Sequence, residues 1–259
     1  MALVGLAAGS FGALVGVGGS VVVIAMLVGM SKVNQHQAHG TCMVAVVFTG
    51  LAGAATYAFK GAVDAPAAMS LAVPAMIMAR LGARFTHALP EWKLKRAFGA
   101  LFMAVSLLLL LKHHLPGSSE PLAGWLRLVV LATAGAGTGF LSGMFGIGGG
   151  SLMVPTLVLI AGLGQYIAQG TSLLTMVPTA VVGARAHWRL GHVAKHLLPG
   201  LIPGILVGAY LGGRLAGMLD ERVLRFIFAG VLIATSTSFI RTPRPAFAVP
   251  KEPSISAAS

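Results

Sequence analysis

The second half of the chain repeats the first at a constant offset of 130 residues, 16 onto 146, without a gap. Gly16-Val17-Gly18-Gly19 returns as Gly146-Ile147-Gly148-Gly149, and His39-Gly40-Thr41 returns as Gln169-Gly170-Thr171. The same register carries Thr49 onto Thr179, Gly53 onto Gly183, Gly61 and Val63 onto Gly191 and Val193, Gly82 and Arg84 onto Gly212 and Arg214, Glu91 onto Glu221, and Phe98 onto Phe228. A bias toward Ala, Gly, Leu and Val creates some coincidences. One register that also holds a Gln pair (Gln35, Gln165), an Arg pair and a Glu pair exceeds what bias supplies. The fold is therefore expected to be two copies of one unit around a pseudo-two-fold axis.

Composition says what the unit is made of. With 56% hydrophobic and 9% charged residues, the chain lacks the polar surface that a soluble domain needs, and it reads as an integral membrane protein. A hydrocarbon core about 30 Å thick takes roughly 20 apolar residues per crossing. Eight candidate spans meet or approach this, at about 2–29, 38–59, 66–88, 96–111, 126–161, 168–188, 197–218 and 223–240. The expected fold is all-α and polytopic, with about eight transmembrane helices as two tandem four-helix repeats whose helices are broken by glycine. Residues 1–112 form the first repeat, 113–125 an inter-repeat loop, 126–240 the second repeat, and 241–259 a tail rich in Pro, Ser and Ala that is expected to be disordered. Because four is an even number, the halves are expected to keep the same orientation, related by an axis along the membrane normal. In an apolar chain, such symmetry points first to a transporter.

The remaining composition excludes some classes. The formal net charge of +12 comes from Lys and Arg in short inter-helix loops rather than from one continuous stripe, which reads as attraction to anionic lipid headgroups and not to nucleic acid. Lys and Arg are spread evenly over the two faces, so the loop-charge rule does not set the orientation. Compact clusters (Arg80, Arg84, Lys93, Lys95, Arg96; Arg214, Arg222, Arg225) favour a cytoplasmic side after helices three and seven. The chain opens in an apolar stretch with no basic leader, so its first helix is expected to stay in place. Its repeat partner begins near Leu126, which aligns before Met1, so the first turn of helix one is expected to be missing from this sequence, whether that start is native or truncated. The single cysteine, Cys42, excludes an intrachain disulfide and a cysteine-based zinc site. No cofactor, metal or catalytic set is expected.

Residues 126–161 are too long for one crossing, and GIGGGS (Gly146, Gly148, Gly149, Gly150, Ser151) interrupts them. Clustered glycines, each costing about 1 kcal/mol relative to Ala in a helix, should break the helix there. The expectation is a helix to about Phe145, an unwound turn, and a half-helix from Ser151 to about Ile160 with Ser151 as N-cap. Unwound backbone at membrane depth must face protein or water. A half-helix start with its positive dipole end is suited to an anion. GVGGS (Gly16, Gly18, Gly19, Ser20) is the symmetric partner. The plainer reading is that the glycines only let helices pack closely.

QGTS (Gln169, Gly170, Thr171, Ser172) and HGTC (His39, Gly40, Thr41, Cys42) are expected to open the next helix of each repeat. They are candidates either for ligand contact or for ordinary capping. Arg185 and His187 fall well inside helix six, where an ionisable group is by default a functional candidate; alternatively the helix ends near Gly183 and Arg185 reaches headgroups. Asp64 is read as an interfacial group, and Glu91 and Glu221 as partners of basic residues in their loops.

With GIGGGS followed by Pro155, then QGTS, then Gly82-Ala83-Arg84 and Gly212-Gly213-Arg214, the chain resembles the sulfite exporter TauE/SafE family of membrane permeases over nearly its whole length. The resemblance implies a bacterial inner-membrane permease for a small sulfur-containing anion such as sulfite, a sulfonate or sulfoacetate. The first repeat departs from the fuller pattern at Ser20, Ala25 and His39, where the second has Gly150, Pro155 and Gln169. The second repeat is therefore expected to dominate substrate contact, with His39 expected to titrate near neutral pH and couple transport to protons. The expected partners are a small anion, the lipid bilayer and a coupling proton or ion. A passive anion channel is the alternative. A hydrolase built on Ser142 or Ser151 with His187 lacks a recognisable base and orienting acid, and a helper subunit would have no long soluble docking domain.

Overall fold

A computed structural model describes residues 1–31, 33, 35–85, 91–111, 124–145 and 149–241. The described residues form helices and the turns between them, with no strand. In order these are α1 (Ala2–Val15), α2 (Ser20–Ser31), α3 (Gln35–Ala58), α4 (Ala65–Phe85), α5 (Glu91–Leu111), α6 (Gly124–Phe145), α7 (Gly150–Leu159) and α8 (Gln165–Arg189). A 3-10 turn at Lys195–Leu197 then runs into α9 (Leu198–Ala216), and α10 (Glu221–Ile240) follows. Among the described residues, six helices are long and apolar enough to cross a membrane: α3, α4, α6, α8, α9 and α10. The apolar parts of α1, α5 and α7 are shorter. Of the expected inter-repeat loop (113–125) and tail (241–259), residues 113–123 and 242–259 lie outside the described residues, while Gly124 and Trp125 already belong to α6 and Arg241 caps α10.

Residues 2–29, read as one span, are two helices that double back. The turn between them sets Gly12 against Gly18 and Gly19, and Gly19 against the Ala8 carbonyl. A straight helix would put Ala8 and Gly19 about 16 Å apart. The packing of Val4 and Ala8 with Val23 and Leu27 in one apolar cluster follows from the reversal. Between α6 and α7 the same reversal sets Gly149 beside Ser142.

Helix pairing follows the small residues. Gly5 and Gly9 of α1 lie against the backbone at Leu201 and Ile205 of α9, and Gly204, Gly208 and Gly212 of α9 lie against Ala2, Leu6 and Ser10. Gly135 and Gly139 of α6 meet Leu71 and Ala75 of α4 in the same parallel sense. Glycine spaced by four lets two backbones approach closely, which drives helix association where apolar burial alone does not. In the centre, α3 and α8 run antiparallel: Gly40 meets His187 and His192, Gly183 meets Met43, Gly50 meets Leu173 and Val177, and Gly170 meets Tyr57.

This antiparallel pair overturns one expectation. The 130-residue offset carries α3 onto α8, so an operation relating the two must reverse helix direction. An axis along the membrane normal does not. Doubling back at the glycine turn is the physical reason, because a chain that returns to the side it entered from leaves the next helix running in the opposite sense from the one a straight span would give.

Candidate functional site

The glycine turns bring part of the predicted set together, namely Gly16, Gly18, Gly19 and Ser20 with Gly149, Gly150 and Ser151. At the end of α1, Gly16 is left-handed (φ 77°), and the amides of Gly16, Val17 and Gly18 all donate to the Gly12 carbonyl at 3.0, 3.1 and 3.2 Å. Gly19 (φ 71°) and Gly149 (φ 75°) hold the same left-handed conformation directly before α2 and α7, where a side chain would cost about 1–2 kcal/mol. The cap of α7 is Gly149 and not Ser151, since Ser151 is already the second helical residue and no side chain caps this start. The amides of Leu152 and Met153 both donate to the Gly149 carbonyl at 3.1 Å. Gly146 and Gly148 lie outside the described residues.

The two turns touch. A Cβ on Gly150 would sit 2.8 Å from the Gly16 carbonyl oxygen and 2.9 Å from the Val17 Cα. Met176 spans both, its sulfur 2.7 Å from such a Cβ on Gly150 and its methyl 2.7 Å from one on Gly18. Ser20 and Ser151 line one cavity of about 20 Å³ with Val17, Gly19, Phe102 and Phe228, enough for a single water. The first amides of each half-helix have no intrahelical acceptor, and both positive dipole ends point inward.

From α8, Gln169 and Ser172 join this centre. A Cβ on Gly16 would lie 2.9 Å from the Cα, Cβ and Cγ of Gln169, and the Ser172 hydroxyl donates to the Gly16 carbonyl at 3.2 Å. From α3, the Cys42 thiol donates to the Ser20 carbonyl at 3.6 Å. Both motifs sit in the second helical turn and not the first, because α8 begins at Gln165 and α3 at Gln35. Their own amides therefore bond within the helix, and only their side chains remain to make contacts.

The rest of each motif is occupied elsewhere. Thr41 accepts from the Ala194 amide at 2.9 Å and Thr171 from the Asp64 amide at 3.0 Å, a matched pair in which each half grips the turn of the other. Gly40 and Gly170 lie against the carbonyls of His192 and Ala62 in the same matched way. His39 is half-buried one turn into α3; nearby, the His187 and His192 rings stand 6.0 Å apart. Arg185 is not gathered into the centre. The helix continues past Gly183 to Arg189, and Arg185 lines an open groove of about 440 Å³ with Val44, Phe48, Trp188 and Arg189. It stands 16 residues, about 24 Å, along α8 from Gln169.

Asp64 does more than sit at an interface. Its carboxylate accepts from the Ala67 amide at 2.9 Å, capping α4, and pairs with Arg127 of α6. Two residues escaped the sequence reading. Tyr57, fully buried, donates to the Ala13 carbonyl at 2.9 Å and lies 3.2 Å from the Gln169 amide oxygen. Gln165, also fully buried, begins α8. The legible signal for Gln165 was a neutral amide repeated in an apolar chain; for Tyr57 there was none.

The arrangement offers backbone amides, small hydroxyls and one amide side chain, which suits binding an anion. Ser151 and His187 are not brought together. Met176 touches Gly150, and His187 is 11 residues further along α8, about 16 Å away.

A model of the family described as sulfite exporter TauE/SafE matches residues 1–239. The chain is 29% identical to "Probable membrane transporter protein YunE" of Bacillus subtilis over 77% of this chain and 83% of the relative. It is 30% identical to "Probable membrane transporter protein YdhB" of the same organism over 71% and 76%. It is 35% identical to a "Probable membrane transporter protein" of Xylella fastidiosa over 67% and 66%. No solved structure matches the chain.

Proposed function

The chain belongs to the sulfite exporter TauE/SafE family of membrane transporters, and we propose that it is a secondary transporter for a small sulfur-containing anion of the sulfite, sulfonate or sulfoacetate class, acting by alternating access in a bacterial inner membrane. Each half contributes four membrane elements, a glycine-broken first element and three unbroken helices, so the chain is two repeats of one unit. The matched helix starts 130 residues apart, such as Gln35 and Gln165, Ala65 and Lys195, Glu91 and Glu221, support this reading.

One observation carries the proposal. The glycine turns from the two halves meet at Gly16, Val17 and Gly150, so the starts of α2 and α7 present their amides to one place. The anion is held there by Gly16, Gly18, Gly19, Ser20, Gly149, Gly150 and Ser151, with Gln169 and Ser172 from α8; Gly146 and Gly148 belong to the same turn in sequence. A cavity of about 20 Å³ is too small for the anion, so the state described is closed, and the halves must part to load it. His39, which occupies in the first half the position of Gln169 in the second, is the entry for a coupling proton.

The test is counterflow of labelled sulfite, thiosulfate and sulfoacetate into proteoliposomes loaded with each unlabelled anion, for the native protein and Gly149→Val. Saturable counterflow that the variant loses, with its membrane insertion intact, is expected. Undiminished flux in a well-folded variant removes the turn from the mechanism, and a non-saturable leak indicates a passive channel.

A further inference from the structure

Gln165, Gln169 and Ser172 stand at i, i+4 and i+7 on α8 and so share one face. All three are fully buried. Ser172 is satisfied at the Gly16 carbonyl, but the two amides beneath it are not. Among the described residues, neither amide atom of Gln165 has a hydrogen-bond partner, and the Gln169 Nε2 has none. Turning the Gln169 amide over moves the problem without removing it. The single proton of Tyr57 is committed to Ala13 at 2.9 Å, so one amide atom is left over either way.

A fully buried amide with both atoms unbonded is a loss to the fold, and an apolar residue of equal length would serve packing better. Such a group in a closed state points to a ligand that supplies the missing bonds. The chemistry of the amide says which kind. Gln165 presents a donor and an acceptor together, so its complement carries both an oxygen that accepts and a proton that donates. The ladder itself holds no charged side chain. The Glu221 carboxylate lies against Gly164, one residue before Gln165, so a dianion here would be buried beside a like charge, and a sulfonate has no proton to give.

We propose that Gln165 and Gln169 form a contact pair for a singly protonated oxyanion such as hydrogen sulfite, Gln169 against the glycine turn at Gly16 and Gln165 one turn further along α8. The Gln165 Nε2 donates to an anion oxygen, its Oε1 accepts the anion's own O–H, and Gln169, positioned by Tyr57, supplies the next contact toward Gly16. This rests on the reading of the chain as an oxyanion transporter.

The test compares sulfite, supplied below neutral pH where hydrogen sulfite predominates, with methanesulfonate, which has the charge and oxygen count of hydrogen sulfite but no O–H, in the native protein and in Gln165→Met. In proteoliposomes, methanesulfonate is expected to compete for the native carrier at least about tenfold more weakly than unlabelled sulfite. In Gln165→Met the KM for sulfite rises about 10- to 100-fold and the discrimination falls toward one. The thermal midpoint of the purified variant stays level or rises. An unchanged KM and unchanged discrimination overturn this inference and leave the transporter reading intact. A variant that loses stability, or that fails to fold, also overturns it, because Gln165 then serves the structure. Absence of saturable flux of any oxyanion by the native protein removes the transporter reading and this inference together.

Discussion

Thr41 and Thr171 are the residues on which a binding role and a structural role differ most sharply in what they predict. Each is fully buried, and each accepts a hydrogen bond from a backbone amide in the turn of the opposite half, Ala194 at 2.9 Å and Asp64 at 3.0 Å. Replacing the hydroxyl by a methyl, Thr171→Val, keeps the volume and so leaves no cavity. It leaves the part-buried Asp64 amide without this acceptor, at a cost of about 1–3 kcal/mol. For a chain of this length that lowers an unfolding midpoint by roughly 2–12 °C. Thr41 aligns with the far end of α8, about 22 Å along the helix from Thr171, so the two losses should add within a few tenths of a kcal/mol. Thr41→Val, Thr171→Val and the double variant, purified in one detergent, would be unfolded thermally and also assayed for sulfite KM after reconstitution. Lower midpoints that add, with KM unchanged, are expected. A native midpoint with a raised KM in either single variant would refute the structural assignment and return that hydroxyl to the ligand.

Two further predictions test the packing. In a Cys42→Ser background, Met43→Cys with Gly183→Cys should cross-link within one chain on mild oxidation, because a Cβ on Gly183 lies 3.7 Å from the Met43 Cγ, within disulfide reach; no cross-link in an inserted protein would contradict the antiparallel pairing of α3 and α8. Gly208→Leu should cost more than about 3 kcal/mol, since its Cβ collides with the Leu6 carbonyl and comes within 2.9 Å of the Ser10 amide, whereas Gly230→Ala, with nothing near it, should be neutral or stabilising by up to about 1 kcal/mol; equal unfolding midpoints for the two variants would remove the glycine seam between α1 and α9.

The legible features were those with a local physical cause. Glycine clustered within an over-long apolar run announces a helix break, and the half-helix at Gly150–Leu159 matches the expected one within a residue. The repeat register also located its counterpart at Gly16–Gly19. What the sequence does not carry is direction. Apolar periodicity reads the same whether a chain continues or doubles back, and the reversal shows only when Gly19 is seen against Ala8. Helix starts were misplaced for a related reason. The Thr and Ser of QGTS look like caps, but Gly164 takes the cap position of α8 and moves those hydroxyls a turn deeper, where they bond across the molecule. Arg185 looked deep because the apolar run before it is long. It stands near the end of a helix that continues to Arg189, exposed in a groove. Tyr57 meets Gln169 across 112 residues, a distance that no local pattern spans.

The reversal at the two turns also bears on how the proposed anion site could work without a cationic side chain. Since α3 and α8 are antiparallel, the halves enter the middle from opposite sides, and the starts of α2 and α7 meet there with Ser20 and Ser151 on one small cavity. Each helix start carries roughly half a positive charge, so the pair presents about one elementary charge. That charge is built from backbone and is fixed in place. A Lys or Arg at the same depth would need its own compensation whenever the site stood empty, whereas an amide dipole does not. The sum matches a monoanion better than a dianion, and it falls off within about a turn of each helix start. Beyond that turn, on the face of α8 that leads away from Gly16, the contacts must come from neutral groups, and the groups present are the amides of Gln169 and Gln165.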